Sequence, residues 1–177
     1  NGFAFVQGIA ENTNDRSLVR TIVALGHSMG LDLVAEGVEK PGNLGAMLRT
    51  ADAVGAAGII LVGACTDPYS VEAVRASMGA VFNVKIIICS EAEFITFGAN
   101  WSGRVIGAAP SAAVDYRQAD YNGSLIMLMG NEQAGLTSPL MDMCEQLIEI
   151  PMQGRSDSLN LAVATGVALY TALDRRA

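Results

Sequence analysis

The sequence Leu125-Ile-Met-Leu-Met129 runs directly into Gly130-Asn-Glu-Gln-Ala-Gly135, so an apolar run leads into a polar loop bounded by glycines. A short apolar run closed by turn-forming residues is typical of a strand buried on both faces of a sheet. In open α/β sheets, ligands bind beyond the carboxyl ends of the strands. The stretch therefore predicts both a central strand and a candidate ligand-binding loop.

The alternation of apolar strands and helical patterns continues along most of the chain. Further strands are predicted at 31–35, 59–62, 84–88, 105–108 and 147–150, with a short apolar run at 3–6. Residues 41–43 are predicted as a loop, and helices are predicted over 14–29, 44–51, 70–78, 139–144 and 159–175. Helices between strands that are apolar throughout indicate a parallel sheet covered on both faces, so the predicted fold class is α/β.

The composition indicates one globular domain. Of 177 residues, 51% are hydrophobic and 16% are charged, which suits a packed core and argues against disorder. No apolar run is long enough to predict a membrane span, and no signal peptide is visible, so we expect a cytoplasmic protein. The net charge of −7, from 11 basic and 18 acidic residues, argues against a broadly basic nucleic-acid surface. RNA binding would need a local basic cluster, a groove in a dimer or a further domain.

The cysteines and the histidine limit the possible chemistry. Cys65, Cys89 and Cys144 are far apart in apolar settings, and their odd number predicts buried free thiols rather than disulfides or a metal site. His27 is the only histidine and lies in a helical pattern, so we expect it to be structural. A Ser-His-Asp triad is thereby excluded unless His27 is its base.

Three loops containing glycine follow predicted strands, at 37–45, 130–135 and 152–158. None has the Gly-Lys-Ser/Thr of a P-loop or the Gly-x-Gly-x-x-Gly of a dinucleotide-binding turn. Because parallel strands end at the same edge of a sheet, the three loops could line one site for a small polar ligand. The residues alone leave open the alternative that the loops are simply tight turns.

Four blocks of sequence occur in the order found in one enzyme family. They are Glu36-Gly-Val-Glu-Lys-Pro-Gly-Asn-Leu-Gly45 and its continuation to Gly55, Val74-Arg-Ala-Ser-Met-Gly-Ala-Val-Phe82, Leu128-Met-Gly-Asn-Glu-Gln-Ala-Gly-Leu136, and Ile150-Pro-Met-Gln-Gly-Arg-Ser-Asp-Ser-Leu-Asn160. Over residues 36–177 the chain resembles the SpoU/TrmH-type RNA ribose 2'-O-methyltransferases of the SPOUT superfamily. The resemblance implies a parallel sheet with a C-terminal trefoil knot, and an obligate homodimer with the cofactor near its interface.

The resemblance also implies a set of site residues, without any metal. Those that match the family's cofactor loops are Leu128, Met129, Gly130, Gly135, Ile150, Met152 and Leu159. Those that match its polar catalytic set are Asn43, Arg49, Glu132, Ser158 and Asn160. Gly130 and Gly135 would let the backbone approach a ligand closely. The alternatives are that Arg49 is a surface charge and that Glu132 caps its loop.

The implied reaction transfers a methyl group from S-adenosylmethionine to a ribose 2'-hydroxyl of tRNA or rRNA. Because a free guanidinium has a pKa above about 12, we expect Arg49 to orient a phosphate unless a neighbour deprotonates it. The alternative function is a non-catalytic protein that keeps the fold and cofactor binding. The acidic net charge favours this alternative.

Residues 1–39 resemble a second family. Phe5-Val-Gln-Gly-Ile-Ala10 and the stretch 15–39 resemble a strand, a helix and the next strand of an EAL domain, a TIM-barrel phosphodiesterase of cyclic di-GMP. The two resemblances overlap at the Glu36-Gly-Val-Glu39 tetrapeptide, so we interpret the chain as a chimera, natural or engineered, that forms one compact domain. The alternative is a methyltransferase whose N-terminal extension converged on this pattern. We expect the EAL-like piece to be catalytically inert, because two carboxylates cannot supply the several oxygen ligands of a hard cation.

Overall fold

A computed structural model describes residues 30–110 and 112–176. Its strands are β1 (Leu31–Glu36), β2 (Gly58–Val62), β3 (Ile86–Cys89), β4 (Arg104–Ala108), β5 (Val114–Asp115), β6 (Leu125–Met129) and β7 (Gln146–Glu149). Its α-helices are α1 (Pro41–Ala53), α2 (Val71–Ser77), α3 (Glu91–Gly98), α4 (Ser138–Asp142) and α5 (Leu161–Arg175), with a short 3₁₀-helix at Ala80–Phe82. The predictions for the run at 3–6, the helix over 14–29 and His27 lie outside the described residues.

The seven strands form one sheet in the order β3-β2-β1-β6-β4-β7-β5, and all neighbouring pairs are parallel. Three adjacent strands, β2, β1 and β6, are buried along their whole length. Strands buried on both faces need apolar side chains in both directions, which explains the uninterrupted apolar runs of the sequence. The predicted α/β fold with a parallel sheet is confirmed.

Helices cover both faces of the sheet and create two hydrophobic cores. Helices α1 and α5 pack on one face, where Leu44, Met47 and Leu169 are fully buried. Helices α3 and α4 cover the other face with Phe94 and Leu140. No helix of the described residues is long and apolar enough to cross a membrane.

Several boundaries differ from the predictions for local reasons. Residues 41–43 were expected to be a loop, but α1 begins at Pro41, since proline suits the first helical position. Helix α5 begins at Leu161 rather than 159, because the Asn160 side chain accepts hydrogen bonds from Ala162 N and Val163 N and so caps it. Helix α3 was not predicted, although Ser90 and Glu93 form a capping box at its start.

The position of β7 bears on the expected knot. Strand β7 lies between β4 and β5, which follow each other directly along the chain. The connection from β4 to β5 passes the carboxyl end of β7, where Ala109 N donates to Ile148 O at 2.9 Å and Tyr116 N donates to Glu149 O at 2.9 Å. A later strand inserted between two earlier ones is compatible with a knot, but the trefoil knot itself stays a prediction.

One carboxyl group is buried in the sheet. Asp32 in β1 is 5% exposed, and burial raises its pKa to about 6 from an ordinary 3.8, although Arg176 and Lys85 act in the opposite direction. The folded chain therefore holds the Asp32 proton more tightly than the unfolded chain does. Protonation stabilises the folded state below about pH 4, and this stabilisation is lost as the pH rises through about 6.

We expect Asp32→Asn to raise the free energy of unfolding at pH 8 by on the order of 2 kcal/mol, because it removes a buried charge. The gain should shrink as the pH falls toward 4, where Asp32 is itself neutral. Urea unfolding from pH 4.5 to 8 measures this difference. Asp174→Asn, which changes an exposed carboxylate of α5, is the control and should show no such pH dependence. Equal stabilities of wild type and Asp32→Asn at every pH would contradict the prediction.

Candidate functional site

A cleft of about 770 Å³ opens at the carboxyl edge of the sheet, beyond β4, β6 and β7. Four segments line it: Lys40 after β1, residues 108–110 at the end of β4, the loop after β6, and the stretch from the end of β7 into the start of α5. Its position is the one expected for a ligand site in an open parallel sheet. The loops at 130–135 and 152–158, predicted to share a site, do meet here.

The structure brings together nine of the twelve predicted site residues. Those that line the cleft are Met129, Gly130, Glu132, Gly135, Ile150, Met152, Ser158, Leu159 and Asn160. Leu128 precedes them in β6 and is fully buried in the core. Asn43 lies at the first turn of α1, where hydrogen bonds connect it to the cleft.

Arg49 lies elsewhere. It is exposed on α1 beside Tyr170 of α5, in a separate shallow depression of about 410 Å³. Within the described residues Arg49 makes no ion pair and no hydrogen bond. In a single chain its position is therefore that of a surface helix charge.

A chain of polar contacts crosses the rim of the cleft. Asn160 Nδ2 donates to Asn43 Oδ1 at 3.0 Å, and Asn43 Nδ2 in turn donates to Glu132 Oε1. Lys40 donates to the other oxygen of Glu132 and forms an ion pair with it. The contacts thus join Lys40 and the start of α1 to the loop after β6 and to the start of α5, and Asn43 lies 89 positions from Glu132 and 117 positions from Asn160.

The direction of each hydrogen bond fixes which atom each side chain presents to its neighbour. Since Asn160 Oδ1 accepts from the first turn of α5, only its amide nitrogen is available to Asn43. Asn43 consequently presents its own amide nitrogen to Glu132. Both oxygens of Glu132 accept hydrogen bonds, one from Lys40 and the other from Asn43, so its side chain is fixed from two sides. Lys40 is a member of this set that sequence reasoning missed.

The loop after β6 is closed by its own backbone. Asn131 and Gly135 exchange two backbone hydrogen bonds of 2.9 and 3.0 Å, and Gly135 has a φ of 71°. A Cβ added to Gly130 would lie 2.3 Å from the carbonyl carbon of Gly135. We expected both glycines to make room for a ligand. In the structure Gly130 makes room for the turn of its own loop, and Gly135 supplies a left-handed backbone conformation. Both glycines also line the cleft, and their role toward a ligand stays a prediction.

A second set of contacts ties this loop to the residues that follow β1. Thr137 N donates to the buried Glu36 carboxylate at 3.0 Å, and Thr137 Oγ1 donates to Glu91 at 2.8 Å. Asn131 Nδ2 donates to Gly37 O at 2.7 Å. Sequence reasoning missed Asn131 and Thr137, whose partners lie about a hundred positions away; the asparagine beside Gly130 was the available signal for a side-chain-stabilised turn.

The thiols are chemically quiet. All three cysteines are free, as predicted; Cys89 is buried, whereas Cys65 and Cys144 are half-buried rather than fully buried. Burial raises the pKa of Cys89 and of Cys144 to about 12 and also raises that of Cys65. Such thiols stay protonated at neutral pH and are poor nucleophiles. Among the described residues, no cluster of three or more histidine, cysteine, aspartate or glutamate side chains could hold a metal ion.

The fold and the cleft place the chain among the α/β proteins that carry a ligand-sized cleft at the carboxyl ends of parallel strands. Over residues 30–170 the sequence matches the SpoU rRNA Methylase family, and the chain belongs to this family. The predicted SpoU/TrmH relationship is thereby confirmed.

Relatives of known description support this assignment. The chain is 34% identical over 151 residues to the 23S rRNA (guanosine-2'-O-)-methyltransferase RlmB of Vibrio vulnificus, which covers 85% of this chain and 61% of that protein. It is 32% identical to RlmB of Ralstonia nicotianae, with 97% of this chain and 74% of that protein covered. The crystal structure of an AdoMet-bound rRNA methyltransferase from Sinorhizobium meliloti superposes with a TM-score of 0.80 at 45% identity, over 83% of this chain and 57% of that one.

These coverages also limit the comparison. The chain spans about three fifths of the length of the Vibrio relative and of the Sinorhizobium chain. The Ralstonia alignment extends over most of the residues that precede β1. The EAL-like resemblance concerns mainly residues 1–29, outside the described part, and stays a prediction.

We expect Gly130→Ala to destabilise the chain by about 1–3 kcal/mol, because the added methyl group would displace the backbone at Gly135. Gly154→Ala is the matched control: it lies in the neighbouring loop, and its Cβ would meet nothing within 4 Å. Thermal unfolding should show a lower melting temperature for Gly130→Ala alone. Equal melting temperatures for the two variants would mean that the loop closes differently.

Proposed function

We propose that the chain is an S-adenosylmethionine-dependent RNA ribose 2'-O-methyltransferase domain. The observation that carries this proposal is the convergence at one cleft of two family loops, 128–135 and 150–160, with Asn43 of the first motif joined to them by hydrogen bonds. Relatives described as rRNA 2'-O-methyltransferases share about a third of its residues. The cleft thus combines family motifs with a suitable geometry.

The cleft suits the cofactor in size and lining. A volume of about 770 Å³ lies within the range of roughly 300–1,000 Å³ common for small-molecule sites. Apolar Met129, Ile150 and Leu159 face it, and backbone groups of the loops are available to polar parts of a ligand. The residues that we assign to cofactor binding are Leu128, Met129, Gly130, Gly135, Ile150, Met152 and Leu159. When bound, the cofactor supplies a methyl group on a sulfonium, whose bond to sulfur breaks as the bond to the ribose oxygen forms.

The polar residues at the rim would position the ribose. The attacking 2'-hydroxyl must lie in line with the methyl group and must lose its proton. Glu132, held in place by Lys40 and Asn43, can accept a hydrogen bond from that hydroxyl, orient it and receive its proton as the methyl group is transferred. Ser158 lies on the same rim and offers a further hydroxyl. Arg49, being outside the cleft of its own chain, is assigned to phosphate binding.

An RNA substrate requires cations in an acidic protein. The side chains of Arg49, Arg75 and Arg155 make no ion pair or hydrogen bond with other described residues, so their charges are available to phosphates. In contrast, Arg104 is shared between Asp120 and Glu145. Unpaired arginine side chains on the surface can thus attract RNA despite a net charge of −7. The substrate class that we propose is tRNA or rRNA.

We propose that the domain acts as a homodimer through α5. The helix exposes Val163, Tyr170 and Leu173, which are 53%, 48% and 43% accessible, on the surface that also carries Arg49 of α1. Clustered exposed apolar side chains are typical of an interaction surface. Leu161 at the start of the same helix is buried within the chain and belongs to the core.

We assign no metal chemistry to the EAL-like tetrapeptide. Glu36 is buried and accepts from Thr137 N, and Glu39 accepts from Asn131. Both carboxylates therefore have partners in this fold. The proposed chimeric origin of residues 1–39 is a separate question, and a junction at 36–39 would leave these contacts intact.

We expect micromolar to millimolar binding of S-adenosylhomocysteine in calorimetry, and transfer of a labelled methyl group from S-adenosylmethionine to bulk tRNA or rRNA. Glu132→Gln should keep cofactor binding but lose most of the transfer, by about 10²-fold, because it removes the charge that orients the hydroxyl. Glu72→Gln on the exposed surface of α2 is the matched control. Binding without any transfer would favour the non-catalytic alternative, and absence of both would refute the proposal.

We expect the wild-type chain to sediment as a dimer at micromolar concentration. A double variant, Val163→Glu with Tyr170→Glu, should sediment near the monomer mass of 18.5 kDa, because it places charge on an apolar contact. Ile88→Glu changes a comparably exposed apolar residue on the edge strand β3 and should remain dimeric. A monomeric wild type would contradict the proposed interface.

A further inference from the structure

The side chain of Asn131 makes four hydrogen bonds in two directions. Its Oδ1 accepts from Gln133 N at 2.8 Å and Ala134 N at 3.0 Å, which folds the loop after β6. Its Nδ2 donates to Gly37 O at 2.7 Å and to Glu39 Oε1 at 3.3 Å, which ties that loop to the segment after β1. The side chain thus combines a local turn with a contact to residues more than 90 positions away.

Asn131 is followed directly by Glu132, whose carboxylate meets Lys40 and Asn43. These two partners follow closely on Gly37 and Glu39, the residues to which the Asn131 amide donates. The far end of the loop is fixed as well, because Thr137 N donates to Glu36. Glu132 is therefore carried by a loop whose two ends are both hydrogen-bonded to residues 36–39.

We propose that Asn131 is a positioning residue for methyl transfer: through its hydrogen bonds to Gly37 and Glu39 it sets where the Glu132 carboxylate lies. Its side chain is committed to the neighbouring loop, so it acts through Glu132 rather than on the reacting atoms. This inference rests on the proposed function. A displacement of about 1 Å in a catalytic group can cost about 10²-fold in rate.

The variant Asn131→Asp distinguishes the hydrogen bonds that this side chain accepts from those that it donates. An aspartate keeps the acceptor for Gln133 N and Ala134 N, but it turns the donor toward Gly37 O and Glu39 into a repelling oxygen. We expect kcat to fall by about 100-fold while the dissociation constant of S-adenosylhomocysteine changes by less than about fivefold. Adding Glu39→Gln returns an amide donor to the pair and should recover about tenfold of the lost kcat, since neighbouring groups are energetically coupled.

The matched control is Asn100→Asp at the end of α3. Asn100 Nδ2 also donates to a backbone carbonyl, that of Thr96 at 3.0 Å, but in a part of the chain away from the cleft. Its kcat should stay within about twofold of wild type, as expected for a surface change. Amide hydrogen exchange of a peptide covering 130–137 serves as a readout independent of activity: exchange should be faster in Asn131→Asp and slower again in the double variant.

Two results of these measurements would overturn the proposal. An unchanged kcat in Asn131→Asp overturns the proposal, as does an equal loss of kcat and cofactor binding that Glu39→Gln fails to rescue, because that pattern belongs to a merely structural residue. If wild type transfers no methyl group, the proposed function fails. Amide hydrogen exchange of residues 130–137 then tests on its own whether Asn131 anchors the loop after β6. Faster exchange in Asn131→Asp that Glu39→Gln reverses would support this anchoring, and exchange equal to wild type would overturn it.

Discussion

The parallel pairing of β1 with β6 is the constraint on which the site depends. These strands are distant in sequence, yet five residues of each are in register, from Leu31 beside Leu125 to Ala35 beside Met129. Both strands end at the same edge, so the segments that follow them, 36–40 and 130–137, lie side by side. Each hydrogen bond between them contributes only about 1 kcal/mol. The buried strands below hold the two segments in place, and the hydrogen bonds then select one arrangement of the side chains.

Some side chains that stabilise the fold also hold the residues of the candidate site in place. Asn160 caps α5 with its oxygen and holds Asn43 with its nitrogen, so the start of the helix and the orientation of the rim depend on one side chain. Glu36 likewise satisfies a backbone N–H at the start of α4 while fixing one end of the loop that carries Glu132. A substitution at such a position would change folding and, under the proposed function, methyl transfer together. Variants that keep one hydrogen bond and remove the other are therefore needed to separate the two effects.

The fold was predictable because its central strands are apolar in both directions and end at turn-forming residues. The prediction failed where the signal was local: α3 is short, and its start is marked by a capping box, Ser90 with Glu93, rather than by a long apolar stripe. The site was harder to predict from the sequence than the fold. Most of its residues followed from the family resemblance, and Lys40, Asn131 and Thr137 were missed because their roles depend on contacts between segments far apart in sequence. Only Asn131, as an asparagine beside a glycine, carries a local signal, that of a side-chain-stabilised turn; no local pattern distinguishes Lys40 and Thr137 from ordinary loop residues.

The tetrapeptide Glu36-Gly-Val-Glu39 illustrates how context sets chemistry. At the end of a strand in an EAL domain, the matching carboxylates are expected to work with others around a metal. Here β1 ends beside β6, and the nearest groups are the amides of Thr137 and Asn131, which donate to Glu36 and Glu39. A carboxylate surrounded by donors accepts hydrogen bonds, whereas one surrounded by other carboxylates must bind a cation or a proton. The position of β1 beside β6, rather than the four residues themselves, thus explains why this segment fixes the loop after β6.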